Sequence, residues 1–174
     1  MEVKKYEIKE GLTIFIRPLI KEDRKAFVKA FSKLSDKTKQ LRFLTSTEAL
    51  SEKEFDYLVN VDHENHVAFC AYYSKNGEEI GIGVARYIRS IKKPNTAEIA
   101  ITIIDEFQGM GIGKLLIQNI VAFAKQHGIE KFVANAYYLN NTILNIISKY
   151  PYEITGSSDG VLTIEIDITH GKRD

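Results

Sequence analysis

Gln108-Gly109-Met110-Gly111-Ile112-Gly113 breaks an otherwise apolar stretch of the chain, and what lies on either side of it decides how the fold is read. Before it runs Ala97 to Ile104, where Glu98, Ala100 and Thr102 alternate with Ile99, Ile101 and Ile103, the period of a strand whose two faces meet different surroundings. After it, Lys114 to Ala124 carries an apolar stripe at helical spacing, with Gly128 as its C-terminal stop. Glycines let a backbone come close to a ligand and adopt positive φ. The first turn of a helix also holds unpaired N–H groups whose partial positive charge suits a pyrophosphate. Lys114 either adds to that attraction or faces solvent. The string is no P-loop, because no Gly-Lys-Ser/Thr ends it, and it lacks the Gly-x-Gly-x-x-Gly spacing of a dinucleotide site. On the glycines alone, a tight structural turn and an anion-binding turn both stay open.

Upstream, His66–Tyr73 and Ile80–Ile88 read as two strands joined at Asn76-Gly77, residues that tolerate the positive φ of a hairpin turn. Thr13–Arg17 reads as a first strand closed by Pro18, which makes Ala97–Ile104 the fourth. Ala26, Phe27, Ala30 and Phe31 give Glu22–Phe31 an amphipathic helical pattern. Ser35–Leu44 is either a short helix or irregular. Ser51 and Glu54 form the two halves of a capping box for a helix that packs Phe55, Leu58 and Val59 inward. Downstream, Lys131–Ala136 reads as a strand, Thr142–Lys149 as a short helix and Gly160–Ile168 as a final strand. The pattern predicts one mixed α/β (α+β) domain over residues 1–174, without linker or repeat.

Composition sets the limits. With 24 Lys and Arg against 23 Asp and Glu, the net charge of +1 lacks the basic excess that would make nucleic acid the default partner. No stretch approaches the roughly 20 apolar residues of a membrane span, and Met1–Glu7 carries no apolar targeting segment, so a reducing, cytoplasmic setting is expected. Cys70, the only cysteine, sits in an apolar run and reads as a buried small hydrophobe. The histidines at 63, 66, 127 and 170 form no ligand spacing for a metal.

Gln108-x-x-Gly111-x-Gly113, preceded by Ala97–Ile103 and followed by the long helix, resembles the cofactor motif of the GNAT superfamily of N-acetyltransferases. The resemblance extends over most of the chain and is sharpest between Ala97 and Tyr152. It implies a splayed, mostly antiparallel mixed sheet flanked by helices, and acetyl-CoA as cofactor. It also implies pantetheine pairing with the fourth strand at Ile101 and Ile103, and the pyrophosphate on backbone N–H groups from Gly109 through Met110, Gly111, Ile112 and Gly113 to Lys114. An asparagine that touches the cofactor as the next helix begins is matched best by Asn141, although helix capping would equally explain an asparagine there. Where the family often has Gly-Phe, this chain has Pro151-Tyr152, which alters the following turn.

Amine acetylation needs a neutral amine beside the thioester and a group to take its proton. Thr96-Ala97-Glu98-Ile99-Ala100 resembles the matching portion of bacterial protein-lysine acetyltransferases, where this glutamate is implicated in proton removal. Glu98 is therefore the expected general base, partly buried and with a raised pKa; a plain strand carboxylate is the alternative. Many members carry a tyrosine acid in the helix after the asparagine, but Ile147 stands at that position, while Tyr137, Tyr138, Tyr150 and Tyr152 lie elsewhere. A thiolate is weakly basic enough to leave without an acid. Leu34–Phe43 resembles the acceptor-groove region of the same acetyltransferases, and Ala85-Arg86-Tyr87 suits their third strand. Arg42 pairs there with a carboxylate or lies on a helix surface. The resemblance favours a protein lysine as acceptor. A small-molecule amine acetyltransferase and a non-catalytic acyl-CoA-binding module are the alternatives.

Overall fold

A computed structural model describes residues 2–8, 11–44, 50–138 and 140–171. The element order is β1 (Lys4–Glu7), β2 (Thr13–Pro18), α1 (Arg24–Ser32), α2 (Asp36–Phe43), α3 (Glu52–Val59), β3 (His66–Lys75), β4 (Glu78–Arg89), β5 (Thr96–Ile103), α4 (Ile112–Gln126), β6 (Lys131–Tyr137), α5 (Asn141–Ile147), β7 (Tyr152–Ser158) and β8 (Val161–Asp167). The strands form one sheet in the order β1-β2-β3-β4-β5-β6-β8-β7. Neighbours run antiparallel except β5 and β6, which are parallel.

That parallel contact is short. β5 pairs β6 only from Thr96–Glu98 against Lys131–Val133, whereas on its other side β5 stays paired to β4 from Ala97 to Ile103. A parallel connection needs a crossover, and α4 supplies it. Past Glu98 the two strands part, and a cleft opens between Ile99–Ile103 and Ala134–Ala136.

Helices cover both faces. α4 lays Ile112, Leu116, Ile120 and Ala124 onto Ile14, Val67, Phe69 and Ile99. On the opposite face, α1 and α3 join around Phe31, Leu34, Phe55 and Ile104, with the Phe31 and Phe55 rings edge-to-face at 5.3 Å. β3 runs between these layers and is buried on both sides from His66 to Tyr72, which is why its sequence is an unbroken apolar run rather than an alternation. Among the described residues, no helix is long and apolar enough to cross a membrane.

The elements agree with the periodicity except at the margins. The Asn76-Gly77 hairpin turn has φ values of 54° and 82°, and Ser51 and Glu54 close the capping box of α3. Ser35–Leu44 resolves as a helix: Ser35 accepts from the Thr38 N–H at its start, and Leu44 ends it at φ 55°. The amphipathic segment from Glu22 begins as a 3₁₀ turn, Lys21–Asp23, before α1. Two strands carry no sequence signal, so the predicted fourth strand is β5. Both β1 and β7 lie at the edges of the sheet and are almost wholly exposed, and they have no apolar alternation by which to be recognised. Gly160, the predicted start of the last strand, sits instead with Asp159 in the positive-φ turn between β7 and β8.

Candidate active site

The backbone of β5 turns alternate groups toward the cleft. Ile104 N–H donates to the Ile82 carbonyl on β4 at 2.9 Å, while the Ile103 carbonyl accepts from Gln108 Nε2 at 3.0 Å, on the side away from β4. Alternate residues of a strand turn their backbone groups to opposite sides. The N–H and C=O groups of Ile101 and Ile103 therefore face the cleft, beyond the last residue that β6 pairs. An extended amide chain laid here would complete the missing ladder.

The glycine turn adjoins the cleft, which Gln108 lines together with Ile101 and Ile146, the neighbours of Gly113. Gly109 and Gly111 take φ of 79° and 87°, and a Cβ built on either would meet nothing within 4 Å. Gly111 is the N-cap of α4 and no side chain among the described residues caps the helix, so the N–H groups of Ile112, Gly113 and Lys114 keep their positive end open. Lys114 is exposed beside them. Met110 and Ile112 turn their side chains into the core and offer the site only backbone. Gly113 serves packing instead, because a Cβ there would stand 2.8 Å from Ile146 Cδ1 and its hydrogen lets α4 close on α5. These features fit a pantetheine and diphosphate chain.

Gln108 is engaged within the protein. Its amide donates to Ile103 and, at 3.3 Å, to Thr38 Oγ1. The same Thr38 hydroxyl donates to Asp105 Oδ1 at 2.8 Å, and the Asp105 carboxylate also accepts from the Ser35 N–H and hydroxyl at 2.9 and 2.6 Å. These hydrogen bonds outweigh its desolvation and hold Asp105 below the usual carboxylate range. They also tie the start of α2 to the segment leading into the glycine turn. The sequence contains no signal for this link, because the carboxylate serving the α2 cap comes from 70 positions away.

Glu98 is the last β5 residue paired before the strands part. It lies on the face covered by α1–α3, since its β4 partner is Ile88 and the next same-face pair is Arg86 with Ala100. Contrary to expectation it is exposed rather than partly buried, because it stands at the mouth of the cleft, where β6 covers nothing beyond Val133. Arg42 of α2 also lines the cleft, and Glu98 is the carboxylate that supports its charge against desolvation, which lowers its pKa. No ion pair joins Arg42 to a carboxylate among the described residues.

The asparagine motif divides its roles between neighbours. Asn140 caps α5, its Oδ1 accepting from the Ile143 N–H at 3.3 Å, and it lines the cleft. Asn141, the predicted contact, is the exposed first residue of the helix. Leu139, quoted with the motif, lies outside the described residues. Ile147 is 2% exposed in the core, and none of Tyr137, Tyr138, Tyr150 and Tyr152 lines the cleft. Cys70 is buried, and desolvation pushes its thiol up to about 12, which makes it a packing residue rather than a nucleophile.

Arg86 is a residue whose importance spacing did not reveal. It is 4% exposed and donates from Nη1 to the Leu58 carbonyl at 2.8 Å, holding the end of α3; the same nitrogen lies 3.1 Å from His66 Nε2. Burial and then the Arg86 charge pull the His66 imidazole from 6.5 down to about 4, against partial support from Asp62. An unfolded chain takes this proton as pH falls below 6.5 while the folded chain refuses it until about 4, so stability is lost across that window on acidification. Urea midpoints measured between pH 7 and pH 4.5 should fall, and His66→Gln, which keeps an acceptor for Arg86, should flatten the slope. An unchanged slope in the variant would remove His66 as its source.

Comparison with known proteins agrees with this geometry. The profile of the acetyltransferase (GNAT) family matches residues 29–143. An acetyltransferase of Pseudomonas aeruginosa is 30% identical over 122 residues, amounting to 70% of this chain and 65% of that protein. Acetyltransferase Pat of Mycolicibacterium smegmatis is 25% identical over 162 residues, 93% of this chain and 48% of that protein. The chain thus spans about half to two-thirds of the length of these two relatives. The crystal structure of the GNAT domain of S. lividans PAT matches with a TM-score of 0.84 at 26% identity, covering 95% of this chain and 96% of that one.

Proposed function

The chain belongs to the GNAT acetyltransferase family, and from that premise we propose that it transfers the acetyl group of acetyl-CoA to an amine, with a protein lysine side chain as the acceptor. The observation that carries this reading is the parting of β5 from β6 after Glu98, directly above a helix whose N-terminus no side chain among the described residues caps. Pantetheine amides would pair with Ile101 and Ile103, and the diphosphate would accept from N–H groups between Gly109 and Lys114. Asn141, the exposed first residue of α5, would meet the chain between them.

The chemistry then falls to Glu98. A lysine ammonium has no lone pair, so its proton must leave before attack, and a carboxylate at the cleft mouth is placed to take it and pass it to water. The amine nitrogen adds to the thioester carbonyl and gives up a second proton to solvent, the C–S bond breaks, and the departing thiolate is protonated. Positioning supplies much of the acceleration. The acceptor reaches the thioester from the α2 side, where Leu34–Phe43 carries the likeness to protein-lysine acetyltransferases. The buried free thiol of Cys70 suits a reducing compartment such as the cytoplasm.

An acetyl-CoA turnover screen over lysine peptides and small amines, read by intact mass, tests this proposal. Peptide lysines gaining one acetyl group, with small amines turned over more slowly, is the expected result. Faster transfer to small amines would displace the protein acceptor, and no transfer despite acetyl-CoA binding would reduce the chain to a binding module.

A further inference from the structure

Beside the cleft, under α1, α2 and α3, lies a second chamber with about 80 Å³ of free volume, and Arg42, Ala100 and Thr102 line both. Its walls are largely apolar, with Phe27, Phe31, Leu34 and Leu58 among them. It opens to solvent, and its volume exceeds the roughly 10–15 Å³ that one water needs.

Charge is distributed unevenly along the chamber. At the outer end Arg17 is neutralised by Asp23 and Glu79, both at 2.7 Å. Toward the cleft stand two guanidinium groups, Arg86 over the Phe27 ring at 5.8 Å and Arg42 over the Phe43 ring at 4.9 Å. Arg86 is fastened through one nitrogen only; its Nε and Nη2 donate to no described residue, yet neither is an enclosed, unsatisfied atom. Arg86 itself lines the chamber. Among the described residues, Glu98 is the carboxylate whose charge Arg42 senses. Burial and the Arg42 charge pull Arg86 down, which marks an environment that would gain from another negative group. A guanidinium fork matches a carboxylate in shape, and the bond is strong when both are desolvated.

We propose that this chamber receives a carboxylate carried by one of the two reactants, gripped by the free edge of Arg86 with Arg42 beside it, the apolar walls holding the carbon chain attached to it. The reactant is either a donor whose acyl group is dicarboxylic, accepted besides acetyl, or an acceptor with a carboxylate near its amine, which a lysine peptide carries on a neighbouring Asp or Glu. The choice between these rests on the acetyl-transfer reading; the carboxylate site itself does not.

Calorimetric titration of the cofactor-free protein with 3-phenylpropionate and with its neutral amide isolates the charge. At least tenfold tighter uptake of the carboxylate is expected, and Arg42→Gln should erase most of that preference. Arg86→Gln should abolish it, with circular dichroism confirming that α3 stays folded; Arg42, partly exposed on α2, keeps the test decisive if Arg86→Gln does not fold. Equal affinity for acid and amide, no uptake of either at millimolar concentration, or a preference unmoved by Arg42→Gln would overturn the proposal. Two turnover arms then locate the source. Succinyl-CoA preferred over propionyl-CoA places the carboxylate on the donor, whereas amino acids preferred over their amides, with acetyl-CoA as donor, places it on the acceptor. No preference in either arm also overturns the proposal. A parallel titration with acetyl-CoA separates the two readings: uptake of acetyl-CoA without any carboxylate preference sinks only this inference.

Discussion

Glu98→Gln is expected to lower kcat by about 10²- to 10⁴-fold, the usual contribution of a positioned base, while acetyl-CoA binds as before. The amide has the carboxylate's shape but cannot accept a proton at neutral pH. Glu98 stands where β5 loses its β6 partner, on the face that Arg42 and the acceptor-side helices share, so a base here meets the amine and not the pantetheine. Its exposure gives the proton a direct route to water. Added small amine bases should restore part of the rate of the variant. Turnover within threefold of the wild type, with no such rescue, would return Glu98 to an ordinary strand carboxylate.

Gly111→Ala should raise the acetyl-CoA Kd by tenfold or more, about 1.4 kcal/mol, through the backbone and not through a lost contact. At φ 87° an L-residue pays roughly 1–2 kcal/mol, which the chain relieves by rotating the N–H groups that follow. Its Cβ would also enter the open space where a diphosphate would approach. Gly128→Ala supplies the control. Gly128 has φ 75° and equally open surroundings, but it follows the opposite end of α4. The two variants should lose similar stability, a few degrees in Tm, and only Gly111→Ala should lose affinity. Equal loss of affinity in both would mean that the turn matters for folding alone.

Local chemistry accounts for what is legible in the sequence. The alternation through Ala97–Ile103, the three glycines and the stripe of α4 are each consequences of neighbouring residues, and they locate the cleft, the turn and the helix without any coordinates. Ser51 with Glu54 and Asn76 with Gly77 belong to the same class. The asparagine pair shows where such reading blurs: one-residue precision at a helix start depends on which side chain reaches the Ile143 N–H, and it is Asn140.

Strands β1 and β7 are invisible for a different reason. An edge strand draws its hydrogen bonds from a single distant neighbour and need not bury a face, so its composition can be that of a loop. Likewise, the link from Asp105 to Ser35 and Thr38 joins residues about 70 positions apart, and no local pattern announces it.

The sequence by itself determined the order of strand, glycine turn and helix, because period and backbone freedom are written in adjacent residues. Only the tertiary structure decided that β5 and β6 part after Glu98, that this carboxylate is exposed, and that Arg42 and Arg86 stand together behind it. Pairing length, burial and the meeting of two charges depend on which distant segments share a surface, and that is settled by packing rather than by spacing along the chain.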